Sequence, residues 1–515
     1  MKPIFGLATL ATLVLAAPVR AEWLQATSRH FIVYSDTSQA ALRKQATDLE
    51  YFDAMVRRFH KSGADKDAEF NRVTVYVLPS IASVQKLYGG GNVAGFYVPR
   101  IDGSVAFTPR SGGSDTFDLT PRIVLFHEYA HHFLLGNYAV AYPAWFSEGY
   151  AEFASTMMQK DGAFWLGAAA NHRAYSLGER KALSIRQLFA PPAKMSEEQT
   201  SALYARGWLL THYLMFDVER RRQLNRYFDS FNAGKPSLDA ATEAFGDLKE
   251  LDGKLDAYLR KTTLPAIKVD PAALPTPTVD IRALTPGEAA LISMRMESTR
   301  GVNSRTAAPL YAKAKVAAAR HPTDPVVQGW LAEMAFDAGQ LDAAEAAADA
   351  AIATSPTSSQ ALLYKARVHL VRAMQAKASD PKVWTEARSW IVNANRATPN
   401  DAAALALFYQ SFLMQGVRPG KNASSGLYRA VELVPQDGGM RFLAARQLIL
   451  DDQVADAKAL LRPLASDPHA GAENGAIRLL ALLEAGQSGQ GAIDAFDRAN
   501  AEAAKRDGAT GAGAD

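Results

Sequence analysis

One pentapeptide, His127-Glu128-Tyr129-Ala130-His131, carries more chemistry than any other stretch of the chain. Two histidines at i and i+4 stand one above the other on a helix face, so both imidazoles can reach a single metal ion. The glutamate beside the first histidine can touch a water bound to that ion. The flanks suit a helix. Thr120-Pro121 reads as an N-cap followed by proline at the first helical position, and Gly136-Asn137 reads as a stop. Ile123, Val124, Phe126, Ala130, Phe133 and Leu134 make the helix apolar enough to be buried. A buried helix carrying two histidines and a glutamate needs a reason for them.

A two-histidine site needs a third protein ligand. The next helical stretch opens at Pro143 and places Glu148 and Glu152 four residues apart on one face. Sixteen residues lie between His131 and Glu148, enough to end one helix, turn and bring a second back beside it. Glu148 is the expected third ligand. Glu152 is either a carboxylate standing behind the ligands or a solvated surface residue. The chain has no cysteine, which leaves histidine and carboxylate, the donor set of a catalytic Zn2+ site. His132 lies about 100° round the helix from His131 and is not expected as a ligand. His172 and His212 read as packed or exposed histidines.

The pentapeptide followed by Trp145-Phe146-Ser147-Glu148-Gly149-Tyr150-Ala151-Glu152-Phe153 resembles the gluzincin metallopeptidases of the peptidase MA-like superfamily, which also holds the large aminopeptidases. Their pattern is H-E-x-x-H, then a tryptophan-rich segment ending in E-G-x-A whose glutamate binds zinc. The resemblance implies His127, His131 and Glu148 as metal ligands and Glu128 as general base. Tyr204-Ala205-Arg206-Gly207 is similar to the Y-x-K-G of the aminopeptidases, which implies that Tyr204 stabilises the tetrahedral intermediate. The G-x-M-E-N segment with which aminopeptidases hold a free amine has no counterpart here. Aminopeptidase specificity therefore does not follow from the resemblance, and an endopeptidase, or a peptidase with one dedicated substrate, fits better.

The elements that must position these residues can be read in order. Met1-Lys2-Pro3, an apolar run from Ile4 to Ala17 and a small residue at Ala21 make a secretory signal peptide over 1–21, too short to span a bilayer. Its removal takes Lys2 and Arg20 and brings the formal charge from +3 to +1, which argues against a nucleic-acid surface. Residues 22–262 read as the catalytic domain. Phe31–Tyr34 and Val73–Leu78 are strands, Ser38–Phe59 and Ile81–Tyr88 are helices, and Ala94–Val98 with Ser104–Thr108 form a hairpin across Arg100–Gly103. That hairpin is where an extended substrate would add. Ser111–Asp115 reads as a mobile loop beside the site. Pro265, Pro271, Pro275 and Pro277 mark 263–285 as an extended linker. Beyond it, Pro322, Pro356, Pro399, Pro435 and Pro468 recur at steps of 34, 43, 36 and 33, the period of tetratricopeptide (TPR) helix pairs, and Gly339-Gln340-Leu341-Asp342-Ala343-Ala344 is similar to their G-x-[LY]-x-x-A. The 43-residue step points to an insert near Ala376–Lys382. Residues 286–500 are the repeat domain, and 501–515 a disordered tail.

The expectation is thus an α+β zincin-like catalytic domain, a small mixed sheet plus a metal-binding helix, followed by an all-α TPR-like solenoid. Its function would be that of a secreted, bacterial periplasmic zinc metallopeptidase acting on a peptide or protein substrate, with a protein partner on the concave face of the repeats. No transmembrane segment and no nucleic acid are expected in the mature chain. The rival reading is a catalytically silent zincin–TPR scaffold of the cell envelope.

Overall fold

The computed structural model describes residues 22–63, 66–91, 93–113, 115, 117–137, 140–178, 182–467 and 474–511, the last nine by their backbone alone. The signal-peptide reading and Ser114 of the proposed loop lie outside the described residues. The chain is mostly helical, with a small mixed sheet near its N-terminal end.

Among the described residues nine strands form two sheets: β1 Leu24–Thr27, β2 Phe31–Ser35, β3 Val73–Leu78, β4 Phe96–Val98, β5 Val105–Pro109, β6 Met158–Lys160, β7 Ala163–Leu166, β8 Ile267–Val269 and β9 Asp280–Ala283. The larger sheet runs β4-β5-β3-β2-β1-β9, and the smaller runs β6-β7-β8. The pairs β2–β3 and β3–β5 are parallel, and every other pair is antiparallel. Parallel pairing follows from the crossovers: α1 (Gln39–His60) joins β2 to β3, and α2 (Ile81–Tyr88) leads toward the β4–β5 hairpin.

Both faces of the larger sheet are covered. Phe31, Val33, Val75 and Ala106 point to one side. There they share a core with Leu42 and Phe52 of α1 and with Phe126 and Tyr129 of α3 (Pro121–Asn137). The alternate residues Tyr34, Tyr76 and Phe107 stack in a row on the other side, with ring centroids 5.3 and 5.4 Å apart. They pack under Leu291, Ile292 and Trp330 of the C-terminal helices. The near-continuous apolar run Val73–Leu78 is what a strand buried on both faces requires.

Beyond α3 the region up to 262 is mostly helical: α4 Ala144–Ser155, α5 Ala174–Gly178, α6 Ile185–Phe189, α7 Glu197–Met215, α8 Val218–Asn232, α9 Ser237–Phe245 and α10 Leu248–Leu259. The stretch 263–285 differs from the expected linker. β8 pairs with β7 and β9 pairs with β1, so this stretch closes both sheets. Its prolines fall between the strands or, at Pro271, in the first turn of a short 3-10 helix capped by Asp270, where no ladder hydrogen bond is lost.

From Pro286 the described residues form twelve helices: α11 Pro286–Arg300, α12 Ala307–Ala318, α13 Pro325–Asp337, α14 Leu341–Thr354, α15 Ser359–Gln375, α16 Pro381–Ala397, α17 Ala402–Met414, α18 Lys421–Leu433, α19 Gly438–Leu450, α20 Val454–Ala465, α21 Gly475–Glu484 and α22 Gly489–Gly511. Pro322, Pro356, Pro399 and Pro435 each lie in the loop ahead of an odd-numbered helix. Two residues later Asp324, Ser358, Asp401 and Asp437 cap that helix with a side-chain oxygen. Pro468 lies outside the described residues. The 43-residue step has no single insert. Relative to α13 and α14, α15 is four residues longer, α16 three longer, and the loop between them two longer. Helix α22 continues to Gly511, into the stretch expected to be a disordered tail.

One face of these helices is engaged by the chain itself. The tip of the β4–β5 hairpin reaches it. Ile101 packs against Leu362, Leu363, Ala402 and Ala403. Arg100 donates to the carbonyl of Thr299 at 2.8 Å and pairs with Glu333 at 3.5 Å. Further along, Arg429 pairs with Asp67 at 3.0 Å.

Candidate metal centre

Three helices build the site. Helix α3 presents His127 and His131 one turn apart, and α4 returns alongside with Glu148. Helix α7 crosses α4 at a pair of glycines. A Cβ on Gly149 would lie 2.3 Å from the Gly207 carbonyl carbon, and one on Gly207 would lie 2.5 Å from the Trp145 carbonyl oxygen. Any larger residue at either position would push the helices apart. This close crossing carries Tyr204, one turn before Gly207, over the histidines.

The donor atoms form a small triangle. His127 Nε2 and His131 Nε2 are 3.2 Å apart. Glu148 Oε2 lies 3.3 Å from His127 Nε2 and 3.6 Å from His131 Nε2. Bonds of about 2.0–2.1 Å to a tetrahedral ion put neighbouring donors about 3.3 Å apart, so these three atoms span one face of such a tetrahedron. Among the described residues this is the one group of three or more histidine and carboxylate side chains close enough to hold an ion. Two neutral imidazoles and a carboxylate, with nothing softer, suit a divalent ion of intermediate hardness. Tyr204 and the carboxylate of Glu128 lie near this triangle. Glu128 is half-buried, and its charge bears on the phenols of both Tyr204 and Tyr97.

The candidate ligands are themselves held. Glu152 is 1 % exposed, so it is not the solvated residue the sequence left open. It lies 3.2 Å from His127 Nδ1, the nitrogen facing away from the triangle. Its other partners are His172 Nε2 at 2.6 Å and Arg173. Burial would raise the Glu152 pKa, but the Arg173 charge and the hydrogen bonds from His127, His172 and Arg173 hold it well below the usual carboxylate range. Ser147 Oγ sits 3.4 Å from His131 Nδ1. Partners of this kind fix which ring nitrogen is free to bind. Burial also tends to drive the proton off His127. Without a metal, the hydrogen bonds and charges of Glu148 and Glu152 outweigh it and lift that pKa to about 10.

Tyr204 stacks flat on His127, with centroids 5.7 Å apart and planes 10° apart. The Arg173 guanidinium lies 5.1 Å from its ring on the Tyr204 side of the cluster. Burial, then the Glu148 charge and a hydrogen bond to Glu148, push the Tyr204 pKa far above its ordinary value, so the phenol keeps its proton.

All five residues singled out in the sequence, His127, Glu128, His131, Glu148 and Tyr204, thus come together in space. The sequence reading set aside His172, and it gave no role to Arg173, Ser147 or Tyr97. The one signal available was Glu152: a carboxylate on the buried face of α4 demands partners, although no fixed spacing says which. His212 is elsewhere. It is buried between Tyr258 at 3.0 Å and the Gly167 carbonyl at 2.8 Å. His132 is held at 2.8 Å from the Tyr97 hydroxyl, away from the triangle.

No family model matches the chain. No curated protein matches it either. Among solved structures it is similar to a thermophilic TPR protein of Thermus thermophilus, at 18 % identity and a TM-score of 0.31, over 36 % of this chain and 92 % of that one. No helix among the described residues is long and apolar enough to cross a membrane.

Proposed function

We propose that the protein is an exported zinc-dependent endopeptidase of gluzincin type, with His127, His131 and Glu148 holding the ion. The observation that carries this reading is the donor triangle of 3.2, 3.3 and 3.6 Å with Glu128 beside it. Export rests on the apolar N-terminal run alone.

A zinc ion held there supplies a Lewis acid that polarises the scissile carbonyl and acidifies water. The chain's own residues do the rest. Glu128 takes the proton of the attacking water and delivers it to the leaving amine, a role typically worth about 10²–10⁴ in rate. Tyr204, kept protonated by burial and by Glu148, donates a hydrogen bond to the developing oxyanion. Glu152 keeps His127 in one orientation throughout. Strand β4 is an edge of the larger sheet and lies beside α3, so its outer side offers backbone groups to an extended peptide. The stack of helix pairs after Pro286 is a TPR-like solenoid in this reading, and its first pairs serve to cover the sheet.

The test is a complex peptide library incubated with the wild-type chain and with Glu128→Gln, with products read by mass spectrometry and zinc by elemental analysis. Internal cuts by the wild type, lost by a factor of about 10² or more in a zinc-replete Glu128→Gln, are expected. Stepwise N-terminal trimming would refute the endopeptidase assignment. Zinc bound with no cleavage by either chain would shift the reading to a silent scaffold.

A further inference from the structure

The C-terminal helices reach the metal-holding helix directly. The loop before α19 carries Gln436, which is buried. Its amide exchanges two hydrogen bonds with the amide of Asn71, just before β3, and also donates to Ser104 Oγ at 3.1 Å. Ser104 accepts the Tyr97 hydroxyl at 2.8 Å, and the same hydroxyl meets His132 Nδ1 at 2.8 Å. The far side of the His132 ring stacks on Tyr129, with centroids 5.4 Å apart. Four residues in series, Gln436, Ser104, Tyr97 and His132, therefore run from the helical repeats to the residue next to His131.

A second contact from the same place meets the end of that helix. Arg441 of α19 is buried, and it donates to the Leu135 carbonyl at 3.3 Å and to the Pro435 carbonyl. Leu135 lies in the last turn of α3, whose carbonyls have no partner within the helix. A cation there also opposes the negative end of the helix dipole.

We propose that Gln436 and Tyr97 are positioning residues of the metal centre: through Ser104 and His132 they fix the rotation of α3, while Arg441 fixes its C-terminal turn. This inference rests on the metal reading above. The physical reason is leverage. A side-chain nitrogen stands about 5–6 Å from the helix axis, so a rotation of about 10° displaces it by about 1 Å. A donor triangle with edges of 3.2–3.6 Å closes on an ion only if both imidazoles are right at once. His127 and His131 are held from behind by Glu152 and Ser147, but those partners sit on α3's neighbour α4. The clamp on His132 grips α3 from another side, the side of the sheet hairpin. On this account the repeats are part of the frame that sets the site, and they are no detachable recognition module.

The experiment uses the full chain with Gln436→Leu, Tyr97→Phe, the double variant, and Arg429→Ala as control. Arg429 joins the same two parts of the molecule through Asp67 but lies outside the chain of contacts to His132. Zinc affinity is measured by competition with a chromophoric chelator. Amide hydrogen exchange is measured on chelator-stripped protein. Gln436→Leu and Tyr97→Phe should each weaken zinc binding about tenfold, the low end of what losing a direct partner of a metal ligand costs. The double variant should be no weaker than the worse single, because the contacts act in series. Exchange should quicken along Val124–Gly136, with Arg429→Ala changing neither measurement. Tyr97→Phe keeps the ring and the strand, so it stands alone if Gln436→Leu does not fold. Zinc affinity within twofold of wild type in both variants, with exchange in α3 unchanged, would overturn the positioning role and leave the metal reading intact. A wild-type chain that binds no zinc would overturn both.

Discussion

Two buried carboxylates invite comparison. Glu152 is 1 % exposed and Glu333 is 3 % exposed. Both are surrounded by donors, and in both the neighbouring positive charge outweighs burial and holds the pKa low. Glu333, on α13, accepts from Arg295, from Gln360 at 2.7 Å and from Ser298 at 3.3 Å, and pairs with Arg100 at 3.5 Å. Its partners are arginine, amide and hydroxyl donors, and together they tie α11, α13 and α15 to the hairpin tip. Glu152 differs in one respect. Two of its partners are imidazoles, and one of these, His127, turns its other nitrogen toward Glu148 and His131. A buried charge whose network closes on itself joins pieces of structure. One whose network holds a ligating atom facing outward prepares a site.

The comparison can be broken at its centre. Glu333→Ala strands two arginines and should cost about 3–5 kcal/mol, read as a lower urea midpoint, while leaving zinc affinity within twofold. Glu152→Ala should lower zinc affinity about 10–100-fold even where the chain remains folded. Equal losses of zinc affinity in the two variants would erase the distinction.

pH separates the clusters by sign. In metal-stripped protein the folded pKa of His127, about 10, exceeds its ordinary 6.5, so its contribution to stability is complete below 6.5 and is lost as pH rises through about 10. Glu333 titrates below its ordinary 4.5, so its contribution is present above that value and is lost as pH falls through the lowered one. Urea midpoints measured from acid to alkaline pH should show His127→Ala flattening the alkaline limb and Glu333→Gln flattening the acid limb. Both limbs changing in either variant would contradict the assignment. The smallest effect is expected at a cap. Asp324→Ala frees the Val326 and Val327 amides of α13 and should cost about 1 kcal/mol, with zinc binding unaltered.

Local chemistry is what the sequence determined by itself. His127 and His131 share a face because a helix repeats near every fourth residue, and that holds wherever the helix lies. The boundaries of α1, α2 and β3 followed from periodicity and caps. The prolines at 322, 356, 399 and 435 marked the helix pairs because proline ends one helix and a capping residue two positions on begins the next. Tertiary structure alone decided what meets what. The linker reading of 263–285 failed because the prolines flank β8 and β9 rather than fall within them, so two short strands looked like ordinary extended chain until their partners β7 and β1 were in place. The run Val73–Leu78 hinted at burial on both faces, but nothing local named the helices near Trp330 as the second cover. Glu152 found His172 and Arg173, and His132 found Tyr97, across separations that no pattern encodes. A buried polar group must find a partner, and its own sequence neighbourhood states that need without saying which distant residue the packing of helices and sheet will bring to meet it.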